Sequence, residues 1–178
     1  MKTFRGFTLT ELTVVLAVIT VLFGVALPAL SRGLEAARSL DARANLLSSL
    51  TMASNKAALS GTRAVLCPSP DGGSCVDSAD WSLGWIVFLD GNGNREVDAG
   101  DSVVQQTRAL PGKVRLRSTV GRTRIVFQGN GGNAGSNVTF TLCDGRGVTQ
   151  ARAFVLNNQG RLRETGASAT EIASTCVR

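Results

Sequence analysis

The stretch Arg5-Gly6-Phe7-Thr8-Leu9-Thr10-Glu11-Leu12 opens the apolar run that decides how this chain folds. The run extends from Phe7 to Leu30, and Glu11 is its one charged residue. A helix needs roughly 20 apolar residues to cross a bilayer, so the run predicts one transmembrane helix over residues 7–30. Lys2 and Arg5 precede it without any acidic residue, which predicts that this end stays in the cytoplasm.

The carboxylate of Glu11 indicates what the span is for. An unpaired charge inside a membrane costs at least about 2.5 kcal/mol on insertion scales, so Glu11 requires a positive partner. A secretory signal that is cleaved and discarded has no use for such a partner. Small residues near the end of the run, Gly24, Ala26 and Ala29, nevertheless leave conventional signal-peptide cleavage as the alternative.

Helical periodicity continues beyond the membrane run. Apolar residues recur at spacings of three or four, and Gly61 follows as a helix stop. They are Leu30, Leu34, Ala37, Leu40, Ala44, Leu47, Leu50, Ala53 and Ala57. We therefore expect one helix over residues 7–61, about 80 Å long at 1.5 Å per residue, with one apolar face.

The residues from Arg5 to Leu12 resemble the type III signal of type IV prepilins and type II secretion pseudopilins. This resemblance implies that residues 1–6 are a leader, that prepilin peptidase cuts after Gly6, and that Phe7 becomes N-methylated. It also implies that Glu11 neutralises the terminal amine of an adjacent subunit, which makes burial of both charges tolerable. Pro28 stands where pilin helices commonly carry a kink.

The same resemblance implies where the protein is found. Before assembly it would be a single-pass protein of the bacterial inner membrane, with its C-terminal domain in the periplasm. After assembly it would lie in a pilus at the cell surface. Its partners would be prepilin peptidase and other major and minor pilins.

Beyond Gly61 the sequence changes to short β-type runs separated by turns rich in Gly and Asn. The predicted strands are Arg63–Cys67, Gly84–Leu89, Ser102–Gln106, Val114–Arg117, Arg124–Phe127, Val138–Cys143 and Arg152–Leu156. The alternation in Val138–Leu142 predicts one buried face, packed on the helix beyond Ser31. The fold class is therefore α+β and type IV pilin-like: a long N-terminal helix, transmembrane in its first half, packed on an antiparallel β-sheet domain over residues 62–178.

The composition excludes most catalytic chemistry. Histidine is absent, which removes imidazole triads, His general acids and bases, and His metal ligands. We therefore expect no enzyme, no metal or cofactor site, and no small-molecule substrate. The four cysteines, Cys67, Cys75, Cys143 and Cys176, lack zinc-site spacing and favour disulfides in an oxidising compartment.

Four cysteines allow three pairings, and the sequence does not decide among them. We favour Cys67 with Cys75, which closes a short loop. Cys143 with Cys176 would then hold the C-terminal tail.

Two features have ordinary structural interpretations. The acidic and amide residues from Asp90 to Asp101 have EF-hand-like spacing, but Arg95 occupies the place of the turn glycine and no glutamate closes the loop. A hairpin connection is favoured there over a calcium site. Trp81 and Trp85 are interpreted as core residues rather than a ligand cage.

The middle of the chain resembles the GspH/FimT family of minor pilins and pseudopilins. The resemblance rests on Cys67-Pro68-Ser69-Pro70, on the segment from Asp80 to Asp90, and on Phe140-Thr141-Leu142-Cys143. It implies a minor type IV pilin of a tip or priming complex. A GspH-like pseudopilin of type II secretion, or a purely structural minor pilin, is the alternative.

Positive charge is concentrated in the distal part of the chain. Residues 101–178 contain 11 basic and 4 acidic residues, whereas residues 7–100 contain 6 basic and 9 acidic ones. Arginine suits bidentate contact with phosphate. Three alternating pairs, Arg115 with Arg117, Arg122 with Arg124 and Arg161 with Arg163, would each project from one face of a strand, although a solvated face gives the same pattern.

Gly160-Arg161-Leu162-Arg163 resembles the G-R-x-R motif of transformation-linked FimT proteins. The resemblance implies that Arg161 and Arg163 contact phosphates of double-stranded extracellular DNA. Arg152, Arg146 and Arg178 are weaker candidates for the same role.

Overall fold

The structure is a computed structural model that describes residues 8–133, 135 and 137–177. Gly6, Phe7 and Arg178, which the sequence singled out, lie outside these residues. The elements are α1 (Leu9–Ser60), β1 (Arg63–Pro68), β2 (Gly84–Asp90), β3 (Ser102–Arg108), β4 (Arg115–Ser118), β5 (Ile125–Phe127), β6 (Val138–Cys143), β7 (Arg152–Leu156), β8 (Leu162–Gly166) and α2 (Ala169–Thr175), with one 3-10 turn at Val148–Gln150.

The chain divides into two compact units, residues 1–34 and residues 35–178. In the first unit every described residue is exposed, although the sequence there is almost wholly apolar. Among the described residues α1 is the one helix long and apolar enough to cross a membrane. Because its side chains have no cover within the unit, they require lipid or other protein around them.

The second unit has one main core, to which α1 and both sheets contribute. The part of α1 beyond residue 41 buries one face, formed by Ala42, Leu46, Ser49, Leu50, Ala53 and Ala57. Leu40 and Ala44 stay exposed, so the buried face is rotated relative to the apolar face predicted from the sequence. Which helix residues are buried depends on where the two sheets pack against α1. The spacing of apolar residues along the helix does not predict those positions.

The first sheet has the strand order β3-β2-β1-β5 and is antiparallel throughout. One of its faces packs in the main core through Leu66, Val87 and Phe127. The other face is buried as well, because Val65 and Phe88 belong to a second cluster that Cys75 and Val97 cover. Burial on both faces explains the continuous apolar runs in β1 and β2.

The second sheet, which we call the C-terminal sheet, has the order β4-β6-β7-β8 and is also antiparallel. Its core face carries Leu116, Leu142 and Phe154, among others. Directly paired residues share a face, so the row Arg117, Thr141, Ala153 and Thr165 belongs to the opposite face. We call this second side the outer face.

Helix α2 lies on the outer face. It contacts β6 and β4, and the Cys143–Cys176 disulfide joins its C-terminal end to β6. Thr141 is consequently only 3% exposed, although it points away from the core. The predicted alternation in β6 is correct for the core face, but α2 buries part of the opposite side.

The predicted fold class is confirmed: a long apolar helix is followed by antiparallel β-structure. Seven strands fall where the sequence predicts them, within two residues at each end. Two elements were not predicted from the sequence, β8 and α2, and both lie in the segment that was expected to form a C-terminal tail. The arrangement in two sheets was not predicted either.

Candidate functional site

Glu11 lies in the first turn of α1, where Thr8 begins the helix. The backbone N–H of Glu11 donates to Oγ1 of Thr8 at 3.2 Å, a local cap of the helix end. Among the described residues no positive group pairs with the Glu11 carboxylate. Its partner must therefore come from outside those residues if the group is buried while charged.

Pro28 lies inside α1. Proline has no backbone N–H, so the carbonyl of Gly24 loses the hydrogen bond that residue 28 would otherwise donate. Ser31 donates its hydroxyl to the carbonyl of Pro28 at 2.9 Å, one turn further on. The kink that the pilin resemblance implies at Pro28 stays a prediction, since α1 is one helix from Leu9 to Ser60.

Both disulfides follow the pairing favoured from the sequence. Cys67 is bonded to Cys75 across 8 residues, and Cys143 to Cys176 across 33, each with Cα atoms 5.6 Å apart. The first bond closes the loop after β1, and the second holds α2 on the C-terminal sheet. The C-terminal segment is thus a fastened part of the domain.

Arg161 and Arg163 lie at the hairpin between β7 and β8. Oδ1 of Asn157 accepts from the N–H of Gln159 at 3.0 Å and from that of Arg161 at 2.9 Å, which closes the turn. Gly160 has φ 76°, and a Cβ there would lie 3.3 Å from the carbonyl oxygen of Gly131. The glycine of the four-residue motif is therefore a requirement of the turn.

Both arginine side chains are exposed; Arg163 lies on the outer face of β8, and Arg161, two residues earlier, immediately precedes the strand. Arg163 pairs with Val155 on β7, and the next pair along the strands is Leu156 with Leu162, which faces the core. Arg163 and Val155 therefore face the opposite side of the sheet. No ion pair among the described residues involves Arg161 or Arg163. Both guanidinium groups are available to an external anion.

Arg152 is placed differently. It shares the core-face side with Glu164, and its Nε lies 3.9 Å from the Glu164 carboxylate, which also pairs with Arg43 at 2.6 Å. The structure does not bring Arg152 onto the face of Arg161 and Arg163.

Arg146 is also committed to an acid. Its Nη2 donates to Asp144 at 2.7 Å and its Nε at 3.0 Å, which is a bidentate pair. Burial tends to raise the pKa of Asp144, but hydrogen bonds led by the Arg146 side chain outweigh it and hold the pKa below its ordinary value. An anion would have to displace this carboxylate to reach Arg146.

The remaining arginine pairs fall into two groups. Arg115 and Arg117 occupy β4 and project from the outer face, as the alternation predicts. Arg122 and Arg124 precede β5, so the prediction that they share a strand is wrong. Arg124 instead pairs with Asp77 and Glu96, and this contact lowers the pKa of Asp77.

The acidic loop after β2 uses its carboxylates internally. Asp90 accepts backbone N–H groups from Gly93 and Arg95, and Asp98 accepts the side-chain amides of Asn92 and Asn94. No cluster able to hold a metal ion occurs within the described residues. The geometry supports the hairpin interpretation of this loop.

Trp81 and Trp85 are fully buried, in agreement with the core interpretation. Nε1 of Trp85 donates to the hydroxyl of Ser49 on α1 at 2.9 Å. Trp81 packs edge-on against Phe140 with ring centroids 5.1 Å apart. The two rings join both sheets to the helix.

The comparisons with known proteins agree with this architecture. The family model described as type II transport protein GspH matches residues 42–160, more than half of the chain. The prokaryotic N-terminal methylation motif matches residues 1–27. A comparison with curated proteins gave no significant match.

Two crystal structures of the type IV minor pilin FimU of Pseudomonas aeruginosa PAO1 share the fold. One, in space group P21, is 14% identical with a TM-score of 0.57, and the match covers 76% of this chain and 90% of FimU. The other, in space group P65, is 15% identical with a TM-score of 0.55, covering 71% and 91%. At this identity the likeness concerns the fold.

The apolar helix, the methylation motif and the antiparallel domain together define a pilin-like protein. The chain belongs to the GspH family.

Proposed function

We propose that this chain is a minor type IV pilin that binds extracellular double-stranded DNA for natural transformation. Arg161 and Arg163 deliver the binding. The observation that supports this best is the placement of the two side chains. Both are exposed and have no acidic partner among the described residues. They project from a hairpin whose turn is closed by Asn157 and requires Gly160. Two such side chains about 7 Å apart match successive phosphates of a nucleic-acid strand.

The N-terminal segment directs assembly of the protein into the filament. Prepilin peptidase removes residues 1–6, Phe7 is methylated, and the helix holds the protein in the inner membrane with its β domain in the periplasm. In the filament, Glu11 pairs with the terminal amine of a neighbouring pilin. The absence of a positive partner for Glu11 among the described residues supports an intermolecular role.

DNA titration of the full-length protein in non-ionic detergent tests the proposal. Wild-type protein should bind a labelled duplex at about 50 mM salt and lose affinity steeply toward about 200 mM. Arg161→Ala with Arg163→Ala should lower the slope of log affinity against log salt by about 1.8, since each phosphate contact contributes about 0.9.

Arg63→Ala with Arg108→Ala is the matched control. It removes the same charge from two exposed positions on the other sheet. If the control weakens binding as much as the double variant at Arg161 and Arg163, the site assignment is wrong. If wild-type protein binds no duplex at low salt, the DNA-binding role is wrong.

A pseudopilin of type II secretion is the second candidate, and the GspH family match favours it. Deletion of the gene separates the two functions. Loss of piliation and DNA uptake supports the pilin, whereas loss of protein secretion with intact pili supports the pseudopilin.

A further inference from the structure

We propose that the outer face of the C-terminal sheet binds duplex DNA by placing α2 in the major groove between two arginine pairs. Arg161 and Arg163 contact one phosphate backbone. Arg115 and Arg117 contact the other. This inference rests on the proposed DNA-binding function and adds to it a second pair of phosphate contacts and an orientation of the duplex on the sheet.

The strand register puts the two pairs on one side of the sheet. Arg117 pairs with Thr141, Thr141 with Ala153, and Ala153 with Thr165, so β4 and β8 present the same face along this row. Arg163 precedes Thr165 by two residues and therefore shares its face.

The two pairs stand at opposite edges of that face. β4 and β8 are the outermost strands of the sheet, three strand spacings or about 14 Å apart. A stagger of two residues lengthens the separation of Arg117 and Arg163 to about 16 Å.

The β4 pair is available to an external ligand. Arg115 is exposed and Arg117 is half-buried, and no ion pair within the described part of the chain involves either. Asp80 pairs with Arg117 through the backbone, but its carboxylate accepts the N–H of Ser82 at 2.9 Å. Arg115 and Arg117 therefore resemble Arg161 and Arg163 in having no ion pair among the described residues, although Arg117 is less exposed.

Helix α2 rises from this face over β6 and the adjacent edge strand β4, so it stands nearer to Arg115 and Arg117 than to Arg161 and Arg163. A ligand with a flat phosphate surface could not contact both arginine pairs, because the ridge that α2 forms would hold it away from the sheet. A duplex with a groove that accommodates α2 could contact both. The major groove of DNA is about 12 Å wide and admits an α-helix, whose diameter is about 10 Å. Its bordering backbones would then meet the arginines on either side of α2.

The surface of α2 allows DNA to approach closely but offers few side chains that could recognise individual bases. Its exposed residues are the small side chains Ala169, Thr170, Ala173 and Ser174. Glu171 is the acidic residue of α2, and it lies in the first turn, where its carboxylate accepts the N–H of Ser168 at 2.6 Å in a capping box. Base edges would meet no long donor side chain, so we expect little sequence preference.

The aromatic residues argue against a single strand as the ligand. Single-strand binders stack bases on exposed rings. In the described part of the second unit every aromatic side chain is at most 1% exposed: Trp81, Trp85, Phe88, Phe127, Phe140 and Phe154.

The same geometry predicts that the protein distinguishes duplex DNA from duplex RNA. Its major groove is deep and narrow, and protein side chains do not enter it. A face that seats α2 in a groove should therefore prefer duplex DNA over duplex RNA of the same sequence.

Three measurements on full-length protein in detergent test the inference. Arg115→Ala with Arg117→Ala should reduce the salt slope for duplex DNA by about 1.8, as expected for two lost phosphate contacts. Ala173→Asp should weaken binding at least about tenfold, because it puts a negative charge on the ridge facing the groove. Single-stranded DNA and duplex RNA should bind more weakly than duplex DNA.

Ala58→Asp is the control for the ridge, since it makes the same change at an exposed position of α1 and should leave binding unchanged. Circular dichroism of the buried tryptophans reports whether each variant is folded. If the variant at Arg161 and Arg163 loses binding while those at Arg115, Arg117 and Ala173 bind like wild type, this inference is wrong and the proposed function stands. Equal binding of duplex RNA also overturns it. Absence of any DNA binding by wild-type protein overturns both.

Discussion

Arg43 on α1 and Glu164 on β8 form an ion pair in which Nη2 lies 2.6 Å from the carboxylate. The pair attaches edge strand β8 to the helix, while the preceding residue, Arg163, leaves the strand on the other side. A charge that pairs with the helix, Glu164, and a charge with no ion pair among the described residues, Arg163, thus stand side by side on one short strand. The two side chains are 43% and 33% exposed, so water screens their attraction.

Glu164→Gln should therefore lower the free energy of unfolding by no more than about 1 kcal/mol. A double-mutant cycle with Arg43→Gln, followed by near-UV circular dichroism during urea unfolding, should give a coupling of about 0.2–1 kcal/mol. A coupling indistinguishable from zero would show that the pair does not hold β8.

The hydrogen bond between Trp85 and Ser49 should matter more. Ser49→Ala leaves the buried indole N–H without its acceptor, which costs about 1–3 kcal/mol of unfolding free energy. Ser48→Ala, at the adjacent exposed position of α1, is the control and should change stability by less than about 0.5 kcal/mol. Equal effects of the two substitutions would contradict the importance of this contact.

The two disulfides should differ in their contribution. In the chain-entropy model a longer closed loop stabilises more, so replacing Cys143 and Cys176 by alanine should cost roughly 1 kcal/mol more than replacing Cys67 and Cys75. Urea unfolding of the two double variants measures this. The opposite order would indicate that the loop after β1, rather than α2, limits stability.

Acid should weaken the domain through Asp144. Its pKa in the folded state is lower than its ordinary value, so the ionised carboxylate stabilises the fold above about pH 4. That contribution is lost as pH falls through the folded-state pKa. The fall in melting temperature from pH 6 to pH 3 should therefore be smaller for Asp144→Asn than for wild type; an unchanged fall would show that Asp144 does not contribute to acid sensitivity.

Much of the fold could be predicted because it depends on local periodicity. The extent of α1 follows from helical spacing and the stop at Gly61, β6 follows from its apolar alternation, and β7 follows from a short apolar run bounded by turn residues. Sheet order could not be predicted, since β1 pairs with β5 across a long stretch of chain. Contacts of that kind depend on the whole packing arrangement.

The missed elements gave weak signals of different kinds. β8, Leu162–Gly166, has mostly polar and charged side chains because it is an edge strand with one exposed side. α2 is short and made of small residues, but its capping box at Ser168 and Glu171 is readable in the sequence and would have located it.

The candidate site was predictable in part. That Arg163 leaves the face opposite to Leu162 follows from the period of two along a strand, whereas Arg161 lies just before β8 and takes its place from the turn that Asn157 closes. That Arg152 and Arg146 pair with acids was not predictable. In both cases the acid is placed by the register or by a turn, as Asp144 is beside Arg146.

Processing after Gly6 and assembly into a filament are the central properties proposed for this chain. Intact-mass and N-terminal analysis of the protein from sheared filaments tests both directly. We predict a chain that begins at N-methylated Phe7 and is present in the filament fraction. A mature chain that begins at Leu27 or later, released without entering filaments, would contradict the account.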